Sequence, residues 1–590
     1  MNTFNSLITI LMNSLHEQKT LTFYENGKEV ESLSLKQLLM RSYRRVEELR
    51  RLKLSSRSIV LLEGTNNSNF LVNFFAIQMM GCTPVPVSPG HFISDKRFAE
   101  LILSMIRQTR AEVFLSNPID KKALSEYVPV DFLVVDQTEF SNTHLEKLED
   151  VYLPRPQDMA FIQFSSGSTG DPKGVVITHE NLMSNLEQIR LGLKQKEGDQ
   201  VATWLPVHHD MGLIGCLLFP IYANLPVHVM RPFDFAVNPK RWLKMISDKK
   251  ISITCAPNSA YHMCTTKIKE ERKKDLDLSS LRVALCGAEP INAKTLQNFI
   301  NSFKNYGLKE TIFLPCYGMA ENVLAISFTN PEEKLKIIHI DKDLMASESK
   351  VQLETPERGL PFVSCGKPLP GVDVKVLSKD ETELGENEIG QIVIKSKSTT
   401  SGYYKRDDVN MNLFYEGYLK TGDLGFIHNG EIYIVGRSKD LIIINGLNLC
   451  PEEIEKQILE VPEVRPGRLA AFAVPNKDES SEEIQVVVEL KGHNFSSQRR
   501  EIIREKIAQV ASELIAIKAH QVSIVPPGTV VKTTSGKIKR SAMRDMYLRG
   551  RIDTLEDNYE FYALKNLVKN KVYSVKFFID EFLGDKVSVN

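Results

Sequence analysis

Residues 165–174 read SSGSTGDPKG, and this stretch indicates more about the fold than any other part of the 590-residue chain. The apolar residues 159–164 before it and residues 174–178 after it have the composition of β-strands. We therefore expect a loop between two strands, in which glycines let backbone N–H groups face an anion and hydroxyls add donors. Lys173 adds a positive charge. Such a Gly/Ser loop suits the β- and γ-phosphates of a nucleotide, although its spacing is not that of a Walker loop and such loops alone are more often flexible turns.

Length and composition indicate a globular protein with several domains. A chain of 590 residues is longer than one compact core normally holds. Basic and acidic residues balance at 74 each, which gives no reason to expect nucleic acid as the main partner. The eight cysteines form no Cys-x-x-Cys pair and no zinc-like cluster, so we expect reduced thiols in a cytoplasmic protein.

The sequence shows no convincing secretion or membrane signal. Residues 1–20 lack the basic start and the small-residue cleavage site of a signal peptide. The longest apolar stretch, residues 213–230, is interrupted by Pro220, Asn224 and Pro226. We therefore expect no transmembrane segment.

Strand-like and helical runs alternate through about the first 430 residues. Residues 57–62 are typical of a strand, and a helix is predicted over 69–80 with Ser68 as its cap. A second helix is predicted over 179–193, capped by Thr178. This alternation predicts an α/β architecture with largely buried parallel sheets.

Beyond residue 430 the pattern changes to that of a compact α+β unit. Strands are predicted at residues 431–436, 441–444, 469–474, 484–490 and 522–525, and a helix at 497–514. We place the boundary at the polar turn 437–440. The prediction is thus a domain over 1–436, a hinge over 437–440 and a small domain over 441–590, which ends in a helical tail from Arg549.

Five motifs occur in the order found in the adenylate-forming superfamily. They are the Gly/Ser loop, YGMAE at 317–321, YLKTGDLG at 418–425, GRSKD through PEEIE at 436–455 and TTSGKIKR at 533–540. Over about residues 20–545 the chain resembles this superfamily, which holds acyl-CoA synthetases, firefly-type luciferases and the adenylation domains of nonribosomal peptide synthetases. The resemblance implies a large multi-sheet N-terminal domain and a small, mobile α+β C-terminal domain.

Within this superfamily the chain most resembles the fatty acyl-AMP ligases. LPVHHDMGL at 205–213 and CGAEPI at 286–291 are similar to their motifs. The segment between Glu321 and Ser364 is also longer, by roughly a dozen residues, than the acyl-CoA synthetase pattern, and extra loop length often marks a functional insertion. In the fatty acyl-AMP ligases an insertion here is associated with loss of the CoA-forming step.

The resemblance implies an ATP- and Mg²⁺-dependent reaction of a medium- or long-chain fatty acid to acyl-AMP and pyrophosphate. The acyl group then passes to the phosphopantetheine of an acyl carrier protein, or of a carrier domain in polyketide or lipopeptide synthesis. A carboxylate is already ionised, so positioning and charge neutralisation matter more than a general base. Three alternatives stay open: an acyl-CoA synthetase, an amino-acid-adenylating domain, and a non-catalytic protein that senses a lipid or nucleotide.

The same resemblance assigns the nucleotide and metal site. Its residues are Ser165, Ser166, Ser168, Thr169, Gly170, Lys173, Gly287, Ala288, Glu289, Tyr317, Gly318, Glu321, Asp423 and Arg437. Those of the Gly/Ser loop hold the β- and γ-phosphates, while Tyr317 stacks on the adenine that 287–289 also line. Asp423 accepts hydrogen bonds from both ribose hydroxyls, and Glu321 binds Mg²⁺. Taken alone, these three side chains would be interpreted as a core tyrosine, a turn-forming acid and a solvated loop acid.

Lys537 and His209 are the residues implied to act on the fatty carboxylate. Lys537 matches the late lysine that bridges the carboxylate and the α-phosphate, a role for a compact charge on a long stem. His209 matches a position near the acyl carboxylate. Taken alone, the lysine would belong to a surface turn and the histidine to a structural pair. Lys439 lies at the predicted hinge, and the basic stretch 537–551 fits a solvated helix as well as a surface for an acidic carrier protein.

Overall fold

The computed structural model describes most of the chain. The described residues are 6–13, 20–90, 95–118, 120, 124, 127, 133–137, 151–165, 172–444, 447–475, 482–492, 495–511, 517–533 and 536–566. Four predicted site residues, Ser166, Ser168, Thr169 and Gly170, lie outside these ranges, and Ser165 is described in its backbone alone. Within the ranges, none of the helices combines the length and the apolar character needed to traverse a lipid bilayer.

The largest sheet has nine strands. Across the sheet they lie in the order Lys367–Pro368, Ala325–Phe328, Phe313–Gly318, Val283–Cys286, Ile253–Ala256, Val201–Thr203, Val227–Met230, Thr20–Glu25 and Lys28–Ser34. The six strands from Phe313–Gly318 to Thr20–Glu25 are parallel to one another, and the outer strands are antiparallel. Three inner strands are buried at every residue, as expected for strands covered on both faces. The predicted α/β architecture is confirmed here.

A second sheet of four strands is parallel throughout, in the order Thr83–Val87, Ile59–Glu63, Val113–Ser116 and Leu133–Asp136. The helix predicted over 69–80 is Ser68–Met79. Its cap is Asn67 and the prediction of Ser68 was wrong, because the Asn67 side chain accepts a hydrogen bond from the backbone N–H of Phe70.

The helices of the first 440 residues cover these sheets. The described α-helices are Leu7–Asn13, Leu35–Arg50, Ser68–Met79, Asp95–Thr109, His179–Gly192, Phe219–Ala223, Pro232–Val237, Lys240–Lys249, Asn258–Lys267, Ala293–Phe303, Lys342–Glu348 and Asp407–Asn410. Thr178 caps His179–Gly192 as predicted. Met211–Leu218 is a π-helix, a rare geometry that is frequent at functional sites.

Residues 373–437 do not follow the predicted parallel arrangement. The strands Asp373–Leu377, Gly390–Lys395, Phe414–Tyr415, Tyr418–His428 and Glu431–Arg437 form an antiparallel sheet of five strands. The reason is the short connections, because a parallel pair needs a long crossover. Asn429 and Gly430, for example, both adopt positive φ and close a tight turn between the last two strands.

Residues after 440 build a separate packed unit. Its strands are Ile442–Ile444, Leu447–Leu449, Val464–Pro475, Glu482–Leu490 and Val522–Val525, and its helices are Pro451–Ile458, Ser497–Ala511, Arg540–Leu548 and Arg551–Asp557. Two hydrophobic clusters drawn almost wholly from residues 442–563 form its interior. The predicted α+β character is confirmed, and the tail buries Ile552 and Tyr559 against this unit.

Candidate active site

The Gly/Ser loop joins two antiparallel strands, as its sequence predicts. The strands are Met159–Ser165 and Lys173–Thr178, and they pair Ser165 with Lys173 at the base of the loop. The Lys173 Nζ lies 5.1 Å from the centroid of the Tyr403 ring. The structure therefore holds a cation at the point where the loop returns to the sheet.

Glu321 lies in a short 3₁₀ helix directly after the strand Phe313–Gly318. Its Oε1 accepts a hydrogen bond of 2.7 Å from the Tyr403 hydroxyl. Both side chains are buried, each with 8% of its surface exposed. Tyr403 was not identified from the sequence, because its partner lies 82 positions away along the chain and no spacing rule connects the two.

The turn after Glu321 has an unusual backbone. Val323 has φ 63° and ψ −65°, a strained γ-turn geometry for a β-branched residue. The turn is closed by the Leu324 N–H, which donates to the Asn322 carbonyl at 2.7 Å. The Asn322 side chain in turn accepts hydrogen bonds from Ser398 and Thr399. Strain of this kind, held in place by neighbours, is typical of functional sites.

Asp423 is held from two sides. The Tyr317 hydroxyl donates to its Oδ2 at 2.8 Å, and the Arg437 Nε lies 3.1 Å from its Oδ1. Asp423 and Arg437 are direct partners across antiparallel strands. Burial, with the Asp423 carboxylate beside it, keeps the pKa of Tyr317 well above its usual range, so this hydroxyl remains a donor. Each carboxylate oxygen has two lone pairs and can therefore accept a further hydrogen bond, as two ribose hydroxyls would require.

The predicted adenine-lining residues leave the sheet at neighbouring strand ends. Cys286 pairs with Pro315 in the parallel sheet, so residues 287–289 and 316–318 emerge at the same edge, where α/β sheets bind ligands. Gly287 admits no side chain, because a Cβ there would lie 2.7 Å from the Cys316 Sγ. At Gly318 a Cβ would lie 2.0 Å from the Leu324 carbonyl oxygen. At each of these two positions a neighbouring residue lies so close that the site requires glycine.

Ala288 and Glu289 complete this edge. Ala288 is exposed and has φ 66°, in the left-handed region. Glu289 is half-buried and accepts a hydrogen bond from the backbone N–H of Ser259. Burial raises the pKa of Glu289, and the ammonium groups of Lys532 and Lys537 act against that rise.

His209 lies in a turn that follows the strand Val201–Thr203. Its N–H donates to the Pro206 carbonyl at 3.2 Å, and its ring centroid lies 4.3 Å from that of His208. Gln163, in the strand that leads into the Gly/Ser loop, donates to the His208 carbonyl at 2.8 Å. The structure therefore connects the histidine turn to the base of the Gly/Ser loop.

Two lysines from beyond Gly436 face this region. Lys537 is exposed, its N–H donates to the Thr533 hydroxyl at 3.0 Å, and its ammonium acts on Glu289. Burial lowers the pKa of Lys439, and the neighbouring Arg437 cation lowers it further. The ammonium of Lys537 thus acts on Glu289, one of the residues predicted to line the adenine, and Lys439 is two residues from Arg437, the partner of Asp423.

Comparison with known proteins decides the family. The model of AMP-binding enzymes matches residues 13–404. The chain belongs to this family. Membership confirms the resemblance drawn from the five motifs and establishes the protein as an enzyme that uses ATP.

Curated relatives in the family match nearly the whole chain. The medium-chain-fatty-acid–[acyl-carrier-protein] ligase JamA of Moorena producens is 31% identical over 94% of this chain and 97% of its own length. The ligase TtuA of Teredinibacter turnerae, named for the same activity, is 28% identical over 82% of this chain and 84% of its own.

Solved structures of family members share the fold. A chain from a study of fatty acyl-adenylate ligases from E. coli and L. pneumophila matches with a TM-score of 0.85 and 30% identity, over 93% of this chain and 98% of that chain. The fatty acyl-adenylate ligase from L. pneumophila in complex with acyl adenylate and pyrophosphate matches with a TM-score of 0.71 and 29% identity, over 92% and 96%. The predicted adenylate-forming fold is therefore confirmed.

Proposed function

We infer that this enzyme is a fatty acyl-AMP ligase. It converts a medium- or long-chain fatty acid and ATP to acyl-AMP and pyrophosphate, and the acyl group passes to the phosphopantetheine of an acyl carrier protein or carrier domain. The observation that carries this conclusion is the pair of acids held by tyrosines beside the base of the Gly/Ser loop: Tyr403 contacts both Glu321 and Lys173, and Tyr317 donates to Asp423. The full-length similarity to JamA and TtuA, both named as ligases for acyl carrier protein, supports the carrier protein as acceptor.

The nucleotide roles follow from the chemistry of each group. Lys173 and the hydroxyls and N–H groups of the Gly/Ser loop bind the β- and γ-phosphates. Asp423 orients the ribose through the free lone pairs of its two oxygens, and Arg437 holds that carboxylate. The ring of Tyr317 and the segment 287–289 enclose the adenine.

Glu321 is the proposed Mg²⁺ ligand. Mg²⁺ prefers oxygen ligands and is commonly held by one or two carboxylates together with substrate phosphates and water. The Glu321 carboxylate is a donor of this kind, held by the Tyr403 hydroxyl at one of its two oxygens. When bound, the ion would neutralise phosphate charge.

Lys537 and His209 are proposed to act at the reacting carboxylate. The carboxylate attacks the α-phosphorus, its new P–O bond forms as the bond to pyrophosphate breaks, and no proton has to move. The Lys537 ammonium lies between carboxylate and α-phosphate and offsets the charge that gathers there. His209 binds near the carboxylate, in a turn whose His208 carbonyl accepts a hydrogen bond from Gln163 of the strand before the Gly/Ser loop.

A segment after Glu321 favours carrier protein over CoA as the acceptor. Its strands Ile337–Ile340 and Leu360–Val363 pair with each other, and the helix Lys342–Glu348 lies between them. Ala346 of this helix packs against the interior of the unit after residue 440. Lys456 of that unit donates to the Pro361 carbonyl at 3.1 Å. By joining both parts of the enzyme, the segment is proposed to restrain the rotation that CoA ligation requires.

The domain division and the location in the cell belong to the same proposal. We place a domain over 1–436, a hinge over 437–440 and a mobile domain over 441–590. Two hydrophobic clusters that lie almost wholly on opposite sides of the hinge support this division, while a third joins Cys450 to Phe426, Tyr433 and Val435. All eight cysteines are free thiols, which supports a reducing compartment such as the cytoplasm.

The test is a product analysis with ATP, Mg²⁺ and dodecanoate, in parallel with CoA, with a phosphopantetheinylated carrier protein and with neither. We expect acyl-AMP in all three reactions and little or no acyl-CoA. The acylated carrier protein should form only in the reaction that contains carrier protein. Saturable acyl-CoA formation would favour the synthetase alternative. Absence of any acyl-AMP across a series of fatty acids would favour a protein that only binds its ligands.

A further inference from the structure

Tyr403 contacts both charged groups of the phosphate and metal site. Its hydroxyl donates to Glu321 Oε1 at 2.7 Å, and its ring lies 5.1 Å from the Lys173 Nζ. A hydrogen bond to a carboxylate is shorter and stronger than one between neutral groups, and a cation over an aromatic face is attracted by the ring. One side chain therefore holds an anion with its polar end and a cation with its apolar face.

The backbone around Tyr403 is fixed on two sides. Thr400 donates from its N–H to the Glu321 carbonyl at 2.8 Å and from its hydroxyl to the Val176 carbonyl at 2.6 Å. Tyr404 donates to the Gly174 carbonyl at 2.8 Å. Residues 400–404, here called the tyrosine segment, are thus hydrogen-bonded to the backbone of the strand after the Gly/Ser loop and to the backbone of Glu321. Tyr403 is delivered between them by backbone bonds that do not depend on its own side chain.

Glu321 lies on a 3₁₀ helix of three residues, two positions before the strained γ-turn at Val323. The Tyr403 hydroxyl occupies Oε1, so the second carboxylate oxygen stays available to a cation. The bond thereby selects one side-chain conformation of Glu321.

We propose that Tyr403 is a positioning residue for adenylation, which orients Glu321 through its hydroxyl and steadies Lys173 through its ring. This inference rests on the proposed function, in which Glu321 binds the Mg²⁺ of MgATP. It extends the site to a residue whose own side chain does not contact substrate. Loss of the hydroxyl should weaken the binding of the metal, whereas loss of the ring should weaken the binding of the phosphates.

The test compares Tyr403→Phe with wild type, with Tyr404→Phe as the matched control. Tyr404 is the adjacent tyrosine, and its ring lies near Lys405 instead of the site. The readouts are the Mg²⁺ concentration for half-maximal ATP–pyrophosphate exchange and calorimetric binding of Mn²⁺ in the presence of a non-hydrolysable ATP analogue. For Tyr403→Phe we expect roughly a tenfold weaker metal response in both, as for one lost bond to a charged group. The KM for ATP at saturating Mg²⁺ should stay near wild type, because the ring remains.

A metal response of Tyr403→Phe within twofold of wild type would overturn the inference, and so would an equal loss in Tyr404→Phe. Glu321→Ala separates this failure from that of the proposed function. If Glu321→Ala weakens the metal response and Tyr403→Phe does not, only the role of Tyr403 is wrong. If Glu321→Ala leaves the response unchanged, the metal assignment is wrong and the inference about Tyr403 is overturned with it.

Discussion

Asp423 and Glu321, two of the three acids of the candidate site, are held by tyrosine hydroxyls. Tyr317 donates to Asp423 at 2.8 Å and Tyr403 to Glu321 at 2.7 Å. Burial, together with the neighbouring carboxylate, raises the pKa of both phenols. Both therefore remain donors at neutral pH, and each occupies only part of the acceptor capacity of its carboxyl group. The arrangement fixes two anions without consuming their capacity to bind a ribose or a cation.

Among the charges of the candidate site, we expect that of Lys537 to matter most for the chemistry. We expect Lys537→Ala to lower ATP–pyrophosphate exchange by roughly two to three orders of magnitude, as for loss of one group that stabilises transition-state charge. ATP binding, measured by calorimetry, should survive, because the nucleotide contacts come from residues before the hinge. Lys518→Ala, an exposed lysine of the same unit, is the control and should behave as wild type. Wild-type pyrophosphate release from Lys537→Ala would refute the assignment.

At the scale of secondary-structure elements, we expect the segment after Glu321 to set the choice between carrier protein and CoA as the acceptor. Ile340 and Leu360 are direct partners in its hairpin. Residues 341–359 can therefore be replaced by an Asn-Gly turn that keeps the strands and removes the helix Lys342–Glu348. We expect a larger share of acyl-CoA among the products, because the contact of Ala346 with the mobile unit is lost. The ratio of acyl-CoA to acyl-AMP, measured by chromatography, checks this.

Point variants on the same helix supply the matched control. Ala346→Glu places a charge against the interior of the mobile unit, whereas Ser347→Glu places it in solvent. Only the first should shift the products toward acyl-CoA, since a charge is costly in an apolar contact. If the shortened enzyme folds and its product ratio equals that of wild type, the segment does not restrain CoA ligation.

At the scale of the whole molecule, one polar turn connects the ATP site to the unit that brings Lys537. The 3₁₀ turn Ser438–Asp440 lies between the strands Glu431–Arg437 and Ile442–Ile444. Arg540, the last residue of the motif 533–540 that carries Lys537, forms ion pairs with Asp440 at 3.2 Å and with Glu455 at 2.8 Å. Arg540 thus links the turn to the segment that carries Lys537, and we expect a rotation at the turn to move both.

Lys439→Pro tests this rotation. Proline fixes φ and removes an N–H. The small domain should therefore reach one of its two proposed orientations, for adenylation and for transfer, less readily than the other. We expect transfer to the carrier protein to suffer more than adenylation, measured as separate single-turnover reactions. Lys439→Ala is the control, because it removes the charge and leaves the backbone free. Equal fractional losses in the two half-reactions, or none in either, would show that Lys439 is not the hinge.

Local sequence was sufficient for the elements and for the family. Strand–loop–strand chemistry around 165–174, the cap at Thr178 and the α+β pattern after 440 were all predicted, because turn residues and periodicity act over a few positions. Sequence patterns were insufficient where connections were short, as in residues 373–437, whose antiparallel pairing was missed. The cap at Asn67 was missed by one residue for a similar reason, since Asn and Ser are both good caps and only the backbone decides between them.

By itself, the sequence indicated an ATP-using family, and it predicted which glycines, acids and lysines form a nucleotide site. Only the tertiary structure decided which of these groups meet. The bond from Tyr403 to Glu321, the cross-strand pair of Asp423 and Arg437, and the packing of Ala346 on the mobile unit join distant positions. Such contacts depend on sheet register and on the packing of whole elements. No local pattern encodes them, because each is the joint result of many residues along the chain.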